Sequence, residues 1–370
     1  MTKIFVWIAF VVALILLAKS LFLGFYPDFN TQYYVPQLVL RGINPYAGSG
    51  VLYTPQVYPP TMFLLYYPFS IIPLVASSYL YTILSFCCLF VSLYFLSKYF
   101  GIKFFSDLNM ILMTFVFIFF PVKFTLGMGQ INILLLMVLV LCLYFLKEKK
   151  YVASGMVLGV SIVLKLFPLL LPLLFLKPLN KKVFYGLIVT IAVSCALVFL
   201  LIPQKILFQF FSILPSFVSS WKLDYYNQAL SGTVGRSFGV GQLASLIKTS
   251  ITLITLIAVF ISIFKNKLND IYGVALKFGS IIAANIIINT FSWQHHFVWM
   301  IIPLYATFFY IRKKKYPKKY YILIIVSFLL MAGNLSNPVV LPIILRSHVF
   351  IGGILLLIFD CYLLLKKPSR

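Results

Sequence analysis

Acidic residues are scarce in this chain. Its 370 residues hold six Asp plus Glu, against thirty Lys plus Arg and three His. Only 10% of residues are charged, where a soluble domain carries about 25%. Such a chain has too few charges to clothe an ordinary soluble surface. Cysteine is sparse as well. Cys87, Cys88, Cys142, Cys195 and Cys361 all lie in apolar runs with no CxxC spacing. They read as small buried hydrophobes, giving neither a metal site nor a disulfide frame. No Gly-rich phosphate loop and no DxD pair stands in the outer segments, which argues against a metal-dependent nucleotide-sugar enzyme. No Ser/His/Asp arrangement supports hydrolase chemistry.

Apolar sequence fills the space. Hydrophobic residues make up 62% of the chain, with mean hydropathy +1.06. Apolar runs of roughly 18 residues or more recur, which is the length of a membrane-crossing helix. Inside lipid every backbone amide must be paired within the protein, so helices are the default spanning element. The fold expected is an all-α polytopic membrane protein, one domain over residues 1–370. The net charge of +24 does not point to nucleic acid. About twenty of the basic residues fall in short loops on one side, the positive-inside pattern.

In order, the first span runs from Ile4 to Gly24; it lacks an AxA-like cleavage site and is kept as a helix. The polar stretch Tyr26–Pro60 then reads as an outer loop. Thr61–Pro73, broken by Pro68 and Pro73, is too short to cross and dips into the interface. Spans follow over Ala76–Leu96 and Asp107–Pro121. An outer turn, VKFTLGMGQIN, leads to a helix returning to KEKK at 147–150. The next apolar stretch is basic at both ends and holds Lys165 and Pro168, so two half-helices meeting at KLFP are expected. Val183–Leu201 spans again. Pro203–Gly241 is a second outer stretch, with Trp221, Lys222, Asp224, Asn227, Gln228 and Arg236. Leu243–Phe264, Ile271–Phe291, Phe297–Ile311, Tyr320–Ala332 and His348–Leu365 complete a bundle of about ten to twelve spans with re-entrant segments. Outer segments 25–75 and 203–241 form the active-site side, and both termini are cytoplasmic.

Chemistry can be sought by elimination. Asp107, Glu148 and Asp270 sit beside basic loops, and Asp360 lies near Lys366. Asp28 and Asp224 are left on the outer side, and each reads either as a functional acid or as a solvated loop residue. Asn285, Asn289, Ser292 and His296 are spaced four, three and four, one face of a helix. Such a stripe serves interhelical hydrogen bonds or a wet cavity. His295 and His296 are too few for a zinc site, so no metal is expected. Lys165 lies within apolar sequence, where a lone cation costs roughly 2.5–3.5 kcal/mol. It needs a carboxylate, a lipid phosphate, or a route to the interface.

The ordered set of motifs resembles a known family. DFNTQYY, GINPY and YPP at the start, GMGQIN at 127–132, SGMVLGVSIVLKLFP at 154–168, NQALSG at 227–232 and SWQHH at 292–296 are similar to segments of the GT-C fold glycosyltransferases that use polyprenol-phosphate sugars. The nearest likeness is glycosyltransferase family 87, the mannosyltransferase-like group. That resemblance implies an inverting hexosyl transfer, with mannose the first sugar to consider, from a polyprenol-phosphate donor to a lipid or glycan acceptor. It places the reaction at the outer face of the cell membrane, with no cofactor and no nucleic acid. It maps the family's acid onto Asp28 as general base. It maps donor-phosphate binding onto His295, His296 and Lys165, with Arg236 a further cation. Tyr33, Tyr34 and Tyr46 become candidates for stacking on sugars. Asn44, Gln130, Asn132, Asn227 and Gln228 become substrate-binding candidates. The alternative is a lipid-linked glycan flippase or transporter that performs no chemistry.

Overall fold

The computed structural model describes residues 2–19, 26–47, 50–52, 54–176, 180–220, 223–266, 270–335 and 342–366. Helices dominate these residues. In chain order they are α1 (Thr2–Ala18), α2 (Pro27–Leu40), α3 (Thr61–Ser70), α4 (Leu74–Phe100), α5 (Asp107–Ile118), α6 (Phe120–Met128), α7 (Asn132–Lys147), α8 (Tyr151–Leu164) and α9 (Lys181–Leu201). They continue as α10 (Gln204–Ser220), α11 (Leu230–Phe238), α12 (Gln242–Lys265), α13 (Ile271–Ile288), α14 (Ile301–Lys313), α15 (Lys319–Ala332), α16 (Ile343–Arg346) and α17 (His348–Leu365). Three 3-10 segments, Pro45–Ala47, Phe167–Phe175 and Gln294–Met300, interrupt them. The protein is an all-α polytopic membrane protein.

Five helices, α4, α9, α12, α13 and α17, are long and apolar enough to cross a membrane, and α5 with α6 make a sixth if their 53° bend belongs to one span. Four more, α1, α7, α8 and α15, are apolar but shorter. Ten to twelve full-length spans are therefore not found among the described residues. Breaks account for the difference. α8 stops at Lys165 ahead of Pro168, α7 starts only after the turn at Gly129, and the expected end of the first span near Gly24 lies outside the described residues.

Burial grades the bundle. The apolar window of α13 is 78% buried, against 22% for α9 and α12. An evenly apolar helix can sit in protein or in lipid; here α13 is the central post, packed on α14, α17 and the Phe167–Phe175 turn, while α9 and α12 face outward.

Several stretches differ from expectation. Tyr26–Pro60 is half helical. Pro27 occupies the first turn of α2 with Asp28 beside it, where a missing amide costs nothing and a carboxylate meets the helix dipole. The VKFTLGMGQIN turn contains most of α6. The 203–241 segment folds into α10 and α11, and its Trp221 and Lys222 lie outside the described residues. Only the first half of the Lys165 hairpin is α-helical; the second is 3-10.

Close helix contact is carried by glycine. A Cβ on Gly155 of α8 would lie 2.0 Å from the Val183 carbonyl oxygen, and one on Gly186 of α9 would lie 2.2 Å from that of Val152. Small residues let backbones meet where lipid supplies no hydrophobic drive between helices. Gly186→Val is expected to lower stability by about 1–3 kcal/mol or more, read as a fall in thermal midpoint in detergent. Tyr185→Val, on an exposed position of the same helix, should change it little.

Candidate active site

The site is assembled from chain breaks. Asp28 stands in the first turn of α2. Tyr58 lies at a bend in the non-helical segment before α3, and Gln130 follows the left-handed residue that ends α6. Asn132 opens α7, Lys165 leaves α8 in extended geometry, and His296 and Trp299 sit on the Gln294–Met300 turn.

Gly129 makes the first junction. Its φ is +67°, which disfavours a side chain, and a Cβ there would fall 2.5 Å from the Cβ of Phe29. The turn can therefore press against α2 and bring Gln130 to Asp28. Gln130 Nε2 donates to Asp28 Oδ2 at 2.5 Å, and the Tyr58 hydroxyl donates to Gln130 Oε1 at 2.5 Å. Tyr58 is held in turn by a pair of buried amides. Gln32 and Gln56 exchange hydrogen bonds of 3.0 and 2.8 Å, and Gln56 Oε1 also accepts from the Val57 and Tyr58 amides.

The second half surrounds Lys165, which is 5% exposed. Its Nζ donates to Asn132 Oδ1 at 2.9 Å and lies 2.7 Å from His296 Nε2. The rings of Tyr58, Phe167 and Trp299 stand 5.0, 5.2 and 5.9 Å from it, within cation–π range. Trp299 Nε1 donates to the Asn132 carbonyl at 2.8 Å, and the Thr125 hydroxyl donates to that of His295 at 3.1 Å. Tyr58 thus touches both halves, Asp28 through Gln130 and Lys165 through its ring face.

Three nitrogens here have no partner among the described residues: Asn132 Nδ2, His295 Nδ1 and His296 Nδ1. Burial, and next the charge of Lys165, hold both imidazoles well below the usual histidine range, so they are neutral. An ammonium donating to His296 Nε2 puts the ring proton on Nδ1. His296 Nδ1 and the Asn132 amide are then buried donors awaiting an acceptor. Burial raises the Asp28 carboxyl to about 6, against the opposing pull of Gln130 and Lys165.

The other candidates have different places. Arg236 donates to the carbonyls of Asp224 at 2.6 Å and Asn227 at 2.8 Å and to the Ser347 hydroxyl at 3.0 Å, which braces a loop; no contact with Lys165 is among these bonds. Asn227 is fully buried, bridged to Trp293, and its Oδ1 accepts from the Ala229 and Ser292 amides. Gln228 Nε2 ties the carbonyls of Tyr225 and Arg346. Tyr46 is a core residue, 2% exposed, bonded to the Tyr58 carbonyl at 3.0 Å, and Asn44 caps its amide. Tyr33 donates to the Ile72 carbonyl at 2.8 Å, and its ring lies edge-on to Tyr34 at 5.0 Å. The polar stripe is no single helix face, because α13 ends at Ile288. Asn285 of that helix donates to the Phe167 carbonyl, while Asn289 caps a turn. Asp224 also serves a turn, accepting from the Tyr226 amide. Asp360 is fully buried and bonded to Thr307 at 2.5 Å, while Lys366 reaches Tyr320.

A sequence model of glycosyltransferase family 87 matches residues 57–282. The chain belongs to glycosyltransferase family 87. No curated protein matches it. The matched stretch of this glycosyltransferase contains Tyr58, Gln130, Asn132 and Lys165; Asp28 and the His295–His296 pair lie outside it. Tyr58 and Trp299 are members of the cluster that were not among the candidate site residues. Tyr58 opens the YPP motif, and Trp299 stands three residues past His296, so helix-like spacing from a polar residue was the available signal.

Gln130 stabilises the ionised form of Asp28, so its removal shifts the carboxyl further up. Infrared titration of the carboxyl band should show the Asp28 midpoint above about 6 in Gln130→Leu, and unchanged in Gln209→Leu, a remote glutamine on α10.

Proposed function

We propose that this glycosyltransferase moves a sugar from a polyprenol-phosphate donor to a hydroxyl of a lipid or glycan acceptor, with inversion at the anomeric carbon. The observation that carries the reading is a buried cation flanked by donors that have no partner among the described residues, joined through Tyr58 and Gln130 to a carboxylate whose Oδ1 has none among them either.

Lys165, His296 and the Asn132 amide hold the donor phosphate, with His295 adjoining them. Charge-assisted bonds of this kind are about twice as strong as neutral ones. The acceptor hydroxyl approaches the anomeric carbon opposite the phosphate. As the new C–O bond forms and the bond to the phosphate oxygen breaks, the hydroxyl proton passes to Asp28. The electron pair leaves with the phosphate, whose growing charge meets Lys165 and the donors beside it. Gln130 holds Oδ2 and leaves Oδ1 as the base. Mannose is the first sugar to test, and Tyr34, half-buried on α2, the first ring to test for stacking on it. Cell-membrane placement, cytoplasmic termini and an outward-facing site belong to the same proposal.

Protein in liposomes, given radiolabelled polyprenyl-phosphate sugars and native acceptor lipids, tests this directly. Asp28→Asn should cut transfer by about 10²–10⁴-fold with folding and donor binding retained. Lys165→Met should raise the donor KM at least as much as it lowers kcat. Because Asp28 works ionised and Lys165 works protonated, wild-type kcat/KM should fall tenfold per pH unit below about 6 and fall again above about 7. Donor crossing the bilayer with no glycosidic product would favour the transporter reading.

A further inference from the structure

Away from that site, an apolar groove of about 230 Å³ opens between α5, α14 and α15. Its wall runs along α5 from Leu108 to Phe119, about 16 Å at the helical rise. That is roughly half the hydrocarbon core of a bilayer, the depth of one leaflet. At one end lie Phe119 and Ile301, the latter directly after the Gln294–Met300 turn that bears His296. At the other end Phe308 meets Tyr321 at 5.6 Å, next to the basic loop that joins α14 to α15.

The groove's side chains continue into that loop. Leu304 and Phe308 line it at four-residue spacing, and Arg312 is next on the same face of α14. Tyr321, Ile325 and Phe328 line it from α15, and Lys318, helical in backbone, precedes them on that face. Arg312 and Lys318 are exposed and have no hydrogen-bond or ion-pair partner among the described residues. Neighbouring Lys314 is committed to Asp270 at 2.9 Å. Asp107, beside Leu108, is a carboxylate at this end, but Lys103, Arg312, Lys315, Lys318 and Lys319 outnumber it.

We propose that this groove is a binding site for one acyl chain of an anionic phospholipid, whose phosphate is held by Arg312 and Lys318. Length and polarity select this occupant. The groove is one leaflet deep, and its cations stand at the end remote from Lys165. A polyprenyl phosphate engaged at Lys165 would carry its phosphate to the opposite end. Basic clusters at the membrane face contribute about 1 kcal/mol per cation toward anionic lipid. A ligand that binds only the folded state raises its melting temperature.

The test uses purified full-length protein in detergent with added phosphatidylglycerol, phosphatidylcholine or polyprenyl phosphate, read by melting temperature and by native mass spectrometry. Phosphatidylglycerol should give the larger rise and a retained adduct. Arg312→Gln with Lys318→Gln should weaken apparent affinity about thirtyfold. Ile325→Trp, which fills the groove and keeps every charge that sets topology, should remove the adduct. Transfer activity in the presence of phosphatidylcholine reports that these variants are folded. Equal response to phosphatidylcholine, an adduct that survives Ile325→Trp, or a rise given by polyprenyl phosphate instead would each overturn the proposal.

Discussion

An ammonium group buried without a carboxylate in contact is the constraint on which this structure turns. Lys165 is 5% exposed and meets an amide oxygen, an imidazole and three aromatic rings. A cation at membrane depth costs roughly 2.5–3.5 kcal/mol. Two hydrogen bonds to a charged donor return about 1.5–3 kcal/mol each. The neighbours therefore offset much of that cost, yet burial still lowers the Lys165 ammonium to about 7, so its electrostatic demand is unmet. Neutral partners stabilise a cation without neutralising it. The field stays available to an incoming anion, and a carboxylate in the same position would have cancelled it.

The backbone follows from the same requirement. Polar groups can gather inside an apolar bundle only where the chain breaks, because irregular backbone is tolerated where it is buried in protein or lines a cavity. Asp28, Tyr58, Gln130, Asn132, Lys165 and His296 all stand at helix ends or in non-helical turns. The shortened helices are thus the counterpart of the site. α8 gives up its last turns to present Lys165, and α6 stops at Gly129 to present Gln130. Uninterrupted α9 and α12 contribute no side chain to the cluster and lie mostly outward.

This division explains what was legible in the sequence. Apolar run length gives the class of fold and the position of the long helices, since that property is local. The scarcity of acids narrows the outer candidates to Asp28 and Asp224, and the burial cost of a lone cation marks Lys165 as a residue that needs partners. Helix spacing fails at Asn289 and Ser292, because α13 ends at Ile288 and periodicity carries no knowledge of that stop. Pro36 and the tyrosines of α2 mimic a loop, although Pro27 followed by Asp28 is a helix-start pattern. Arg236, Asn227 and Gln228 look equally functional in sequence, yet their polar atoms brace the loop before α11. A cation's partners, unlike its charge, are set by tertiary contact. The Gln32–Gln56 pair has no sequence signal either, because two amides 24 residues apart meet only through the path of α2 and the segment after it.

The carboxylate shows what such a site costs the fold. Asp28 titrates at about 6 against an ordinary 3.8. Between those values the folded chain holds a proton that the unfolded chain has released. Stability therefore declines as pH rises through this window, and above about 6 the whole penalty is present, at most about 3 kcal/mol. The acid is thus ionised only where ionisation works against folding. Gln130 and Lys165 reduce that penalty without abolishing it, and a full ion pair would remove both the penalty and the basicity. Holding the two charges apart, with Tyr58 and an amide between them, leaves the carboxylate and the ammonium each without a direct ion-pair partner within one cluster, which is what the proposed transfer requires.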